Sequence, residues 1–124
     1  MSTDRRLVAL RGATGVATPD AAGIVAATAE LLTELMTRND VVPGDIVSIL
    51  FTATPDLTAE FPAAAARKLG LDDVALLDAA EIAVPGAPSG IVRVLMHLYS
   101  QRAYAELRHV YLGTARSLRS DLAD

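Results

Sequence analysis

The segment from Ile91 to Tyr99 does most to constrain the fold of this 124-residue chain. It is the longest run that reads as a β-strand, rich in aliphatic and β-branched residues and preceded by a loop of Pro and Gly (Val84 to Gly90). Alternation puts Val92, Val94, Met96 and Leu98 on one face, and Ile91, Arg93, Leu95, His97 and Tyr99 on the other. Helices can cover one apolar face. The other still carries apolar residues, and a small domain that leaves such a face bare tends to associate through it.

The remaining segments supply the rest of the sheet and its cover. Leu7 to Arg11 reads as a first strand ending in a turn at Gly12, with Leu7, Ala9 and Arg11 on one face. Thr18-Pro19-Asp20 is a helix start, with a capping hydroxyl, a proline in the first turn and an acid near the positive end of the dipole. The helix is predicted to run to about Arg38, its apolar stripe being Ile24, Ala27 or Thr28, Leu31, Leu32, Leu35 and Met36. Ile46 to Thr52 is a second strand, Pro62 to Leu69 a short helix closed by Gly70, and Val74 to Asp78 a short third strand. Leu107 to Leu112 makes a fifth strand, followed by a helical turn or two and a frayed tail over residues 120–124. The order β-α-β-α-β-β-β predicts one α+β domain over residues 1–124, a mixed sheet of about five strands with helices on one face.

Composition excludes several classes of function. With 52% hydrophobic residues the chain folds to a core, and with no cysteine it has neither disulfides, thiolate metal sites nor a cysteine nucleophile. A formal charge of −4 argues against nucleic acid or an anionic membrane surface as partner. The first ten residues lack the apolar core of a signal peptide, and no run approaches a membrane span, so a cytoplasmic protein is expected. Ten of the eleven basic residues are arginine. A GC-rich coding sequence gives that bias, and so does a need to grip carboxylates with planar guanidiniums; composition leaves both open.

Few residues suggest chemistry by type and spacing. His97 and His109 fall on different strands without a spaced acid or cysteine, so no metal site is expected. Gly12-Ala13-Thr14-Gly15 is too short for a phosphate loop and reads as a turn, and no serine sits in a nucleophile elbow. What stands out is Arg93 between Val92 and Val94, because a guanidinium within a sheet is costly unless paired or exposed. An edge-strand arginine reaching water is the plain alternative. Glu81 before the Pro85-Gly86 loop, Arg11 and Tyr111 at strand ends, Arg67 on a helix surface and Arg119 in the tail are unremarkable one by one.

Taken in order, seven short motifs are more specific. They are Leu10-Arg11-Gly12-Ala13-Thr14, Thr52-Ala53-Thr54-Pro55-Asp56-Leu57, Phe61-Pro62-Ala63 leading to Arg67, Glu81 with Val84-Pro85-Gly86, Ile91-Val92-Arg93-Val94-Leu95, Arg108-His109-Val110-Tyr111-Leu112 and Leu118-Arg119. From about Leu7 to Leu122 the chain resembles the monofunctional chorismate mutases of the Bacillus type. The resemblance implies a homotrimer whose sheets pack into a barrel-like core, with active sites at the subunit interfaces, conversion of chorismate to prephenate, and no cofactor. It implies that Arg11, Glu81, Arg93 and Tyr111 form the main wall of each site. Phe61 and Arg67 would come from the neighbouring subunit, and Leu118 and Arg119 from a mobile C-terminal segment.

That chemistry suits a site without nucleophile, general base or metal. The rearrangement is intramolecular, breaking one C–O bond as one C–C bond forms, so the protein must fold the substrate and stabilise charge growing on the ether oxygen. The resemblance assigns Arg93 to that oxygen and a carboxylate, Arg11 and Tyr111 to a carboxylate, and Glu81 to the ring hydroxyl; Arg67 and Arg119 help attract the dianion. Asp78 stands where this family commonly has cysteine, Ala64 where lysine is frequent and Ser120 where proline follows Arg119. Asp78 is expected to bring a second carboxyl near the ring beside Glu81, one of the two then holding a proton. Two other readings of a small arginine-bearing trimer are a deaminase of enamine or imine intermediates and a non-catalytic sensor of small carboxylates.

Overall fold

A computed structural model of the chain describes residues 4–118. Five strands form one mixed sheet: β1 (Arg6–Gly15), β2 (Ile46–Ala53), β3 (Ala75–Ala80), β4 (Ile91–Ser100) and β5 (Val110–Leu112), in the spatial order β3-β2-β4-β1-β5. The long apolar segment is therefore the central strand. β4 runs antiparallel to both neighbours, while the outer strands β3 and β5 lie parallel to β2 and β1. Two helices, α1 (Ala21–Arg38) and α2 (Ala64–Lys68), cover one face. Among the described residues no helix is long and apolar enough to cross a membrane.

Helix α1 presents Ile24, Thr28, Leu31, Leu32 and Leu35 to the sheet, at the spacings read from the sequence. Its cap is Asp20 rather than Thr18: the carboxylate accepts the Gly23 amide hydrogen at 2.7 Å. Leu31, Leu32 and Leu35 share a fully buried core with Leu10, Ile49, Phe51 and Met96, joined by Ala65 and Ala66 of α2.

Two expectations about strand length are corrected. β1 does not turn at Gly12 but continues through Ala13 and Thr14 to Gly15. Gly12 is there because α1 packs tightly on it; a Cβ would lie 3.0 Å from Leu31 Cδ1 and 3.1 Å from Leu35 Cδ1. β5 is shorter than Leu107–Leu112, because Tyr104–Glu106 forms a 3-10 turn and Arg108 is held by a side chain instead of a strand. Asn39, which ends α1, accepts the Arg108 amide hydrogen and donates to the Arg108 carbonyl, both at 2.8 Å.

The face opposite the helices is only partly covered. At one end, the 3-10 segment Gly113–Ser117 folds back so that Ala115 and Leu118 pack on Ala13, Ile91 and Tyr111. Over the rest of that face Leu95 and His97 are half-buried and Leu7, Leu77 and Tyr99 are exposed.

Candidate active site

One of the rows of register partners that cross the whole sheet joins Tyr111 on β5, Ala13 on β1, Arg93 on β4, Thr52 on β2 and Ala79 on β3. Partners in a row share a face, here the one away from the helices. Arg93 is thus in the middle of a sheet, not on the edge where a guanidinium would reach water unaided. Glu81 prolongs the alternation of β3 by two residues beyond Ala79, and its amide donates to the Ala53 carbonyl at 3.0 Å. That places the carboxylate beside the guanidinium. Glu81 Oε2 accepts from Arg93 Nε at 3.0 Å and from the Thr52 hydroxyl at 2.7 Å.

The pairing is asymmetric in a useful way. Glu81 takes the Nε edge of the guanidinium and, among the described residues, leaves its two terminal nitrogens without a hydrogen-bond partner. The Glu81 side chain is 16% exposed and that of Arg93 is 41% exposed, so the acid is sheltered and the cation faces outward. Arg11 lies on the same face of β1, opposite Leu95, and is a diagonal neighbour of Arg93. Its backbone amide donates to His109 Nδ1 at 2.9 Å, which ties this part of β1 to the residues leading into β5. Tyr111 is buried against Ala13, Ile91 and Ala115, with Leu118 packed on the same cluster. Arg11, Glu81, Arg93, Tyr111 and Leu118 thus lie on one face of one chain.

Glu81 and Arg93 line a cleft of about 270 Å³ with Thr54, Pro55, Asp56 and the loop that follows Glu81. Side chains of the stretch after β2 hold the end of that loop. Thr54 Oγ1 accepts the Ile91 amide hydrogen at 3.1 Å, and the Asp56 carboxylate accepts that of Gly90. A hydrogen bond from Thr54 and, more weakly, the Gly90 amide hold the Asp56 carboxyl below the usual carboxylate range.

Phe61, Arg67 and Asp78 lie elsewhere. Phe61 and Asp78 line a second, larger cleft of about 490 Å³ with Thr58, Pro62 and Ala80, and Phe61 is 64% exposed. Phe61, Ala64 and Arg67 follow one another at intervals of three through the turn and along α2, with Arg67 exposed. Asp78 is opposite Phe51, on the helix face, and its Oδ1 accepts the Ala63 amide hydrogen at 3.0 Å. The expected convergence of Asp78 and Glu81 on one ring is corrected for a single chain: on a strand, positions three apart point to opposite faces. Arg119 and Ser120 lie outside the described residues. Thr52 opens one of the seven motifs, yet nothing in the sequence assigns it a role in the site.

The family model described as chorismate mutase type I matches residues 7–122. The chain belongs to the type I chorismate mutase family. The chorismate mutase AroH of Thermus thermophilus is 40% identical to it over 114 residues, covering 91% of this chain and 93% of that protein. Chorismate mutase AroH of Bacillus subtilis (strain 168) is 37% identical over 115 residues, covering 92% and 91%. A solved chorismate mutase from Clostridium thermocellum Cth-682 matches with a TM-score of 0.87 at 44% identity, over 89% of this chain and 98% of that one. This chorismate mutase is accordingly an isomerase with the α+β mixed-sheet fold of its relatives.

Proposed function

We propose that this chorismate mutase rearranges chorismate to prephenate, in the synthesis of phenylalanine and tyrosine, at a site built on the Arg93–Glu81 pair. The observation that carries the reading is the way Glu81 fixes the Nε edge of Arg93 while the terminal nitrogens stay available. A guanidinium held from behind cannot swing to follow its own counter-ion. Its field is aimed before the reaction begins, which is what stabilises charge developing on the ether oxygen as the C–O bond opens. Arg11, on the same face, and the Tyr111 hydroxyl meet a substrate carboxylate, and Glu81 receives the ring hydroxyl. The electrons move within the substrate, so no proton need be transferred and no covalent intermediate forms.

The site is completed by a second subunit of a homotrimer. Supporting this, Phe61 and Arg67 are exposed and stand apart from the Arg93 wall of the same chain, while the sheet face bearing that wall displays Leu7, Leu77 and Tyr99. Leu118 and Arg119 close the site from the C-terminal segment. We place the enzyme in the cytoplasm.

The deciding experiment is turnover of chorismate by the purified protein, with no metal or cofactor added. Prephenate should form at a rate that scales with enzyme concentration. Disappearance of chorismate no faster than in buffer overturns the reading.

A further inference from the structure

We propose that Thr52 is a positioning residue for the rearrangement, acting through Glu81; the role rests on the function proposed above. Three features of the sheet place its hydroxyl. Thr52 is held on both sides, opposite Arg93 on β4 and opposite Ala79 on β3. The next residue, Ala53, receives the Glu81 amide hydrogen on its carbonyl, so the backbones of donor and acceptor are joined directly. Thr52 is also β-branched, which restricts χ1 and fixes the direction of the hydroxyl.

The hydroxyl lies 2.7 Å from the same Oε2 that Arg93 Nε reaches at 3.0 Å. Glu81 therefore has two donors from two adjacent strands on one oxygen, while Oε1 has no partner among the described residues. Two donors fix a carboxylate where one would act as a hinge. The distinction matters when a dianion enters. Substrate carboxylates attract Arg93 and repel Glu81, and an acid held by Arg93 alone would move whenever the arginine did. Thr52 is neutral, so its hold on Glu81 persists as the substrate arrives. It keeps the acid behind the guanidinium with Oε1 toward the ring hydroxyl. The Thr52-to-Leu57 motif then acts as one clamp, Thr52 on Glu81 and Thr54 and Asp56 on the residues that begin β4.

The test compares Thr52→Val, which keeps shape and β-branching, with Thr52→Ser, which keeps the hydroxyl. Thr52→Val should lower kcat roughly tenfold or more, the usual weight of a hydrogen bond to a charged group, with KM changed less than about threefold. Thr52→Ser should recover most of that loss. A Thr52→Val enzyme within about twofold of wild type in kcat overturns the proposal, as does a Thr52→Ser enzyme as impaired as Thr52→Val. Should Thr52→Val fail to fold, Thr52→Ser decides alone: near-normal kcat supports the hydroxyl and a tenfold loss refutes it. A wild-type protein that leaves chorismate unchanged instead overturns the proposed function, and the role of Thr52 falls with it.

Discussion

Asp56 receives the Gly90 amide hydrogen on both oxygens of its carboxylate, at 3.2 and 3.0 Å. Gly90 has a positive φ of 69° and directly precedes β4, so this contact joins the loop after β2 to the start of the strand that carries Arg93. The contact is charge-assisted, and its strength follows the ionisation of one exposed acid.

The pH dependence of stability follows from that ionisation. Hydrogen bonds from Thr54 and Gly90 lower the Asp56 pKa in the folded protein below its ordinary value of 3.8. A depressed carboxyl stabilises the fold above its unfolded pKa, and the contribution is lost as pH falls through the folded value. Asp56→Ala should therefore melt slightly below wild type at neutral pH, the effect being small because solvent screens an exposed carboxylate, with the gap narrowing below pH 3.8. Thermal unfolding from neutral to acid pH reads this, and a gap independent of pH would rule out the charge as the cause.

Arg93→Ala should cost about 3–4 kcal/mol of transition-state stabilisation, or about 10²–10³ in kcat, as for loss of one preorganised donor at a developing anion. Arg93→Lys keeps the charge but has no Nε edge for Glu81 to hold, and should recover only part of the rate. Steady-state kinetics with chorismate gives both values. Activity of Arg93→Ala within about threefold of wild type would take the residue out of this role.

Subunit sharing is open to a mixing experiment. The protein should run as a trimer, and Arg93→Ala and Arg67→Ala should each be impaired alone. When the two are unfolded together and reassembled, random association should leave roughly a quarter of the interfaces with both arginines intact. Activity well above the sum of the parents would show that Arg93 and Arg67 act from different chains. Mixed trimers no more active than their parents would place them in separate sites.

The strands and α1 were legible because periodicity survives in the sequence: the α1 stripe and the two faces of β4 appear in the structure as read. Gly12 misled because a glycine that admits a helix against a strand looks the same as one that makes a turn. Within one chain Asp78 and Glu81 do not converge, because three residues on a strand reverse the face, and Asp78 accepts the Ala63 amide hydrogen at the start of α2. Thr52 is legible as part of a motif, but not as a partner of Glu81, which is 29 residues away.

Local chemistry in the chain settled which segments extend, which coil into helices, and which residue types were available to bind a carboxylate. The motif order carried the family with it. Pairing decided the rest. The order β3-β2-β4-β1-β5 puts Arg93 on a central strand, between the row neighbours Ala13 and Thr52, and brings Glu81 behind it. Hydrophobic periodicity is a property of neighbours in sequence. The position of an ion pair on a sheet face depends on strand register and on which strands become neighbours, and long-range packing sets both.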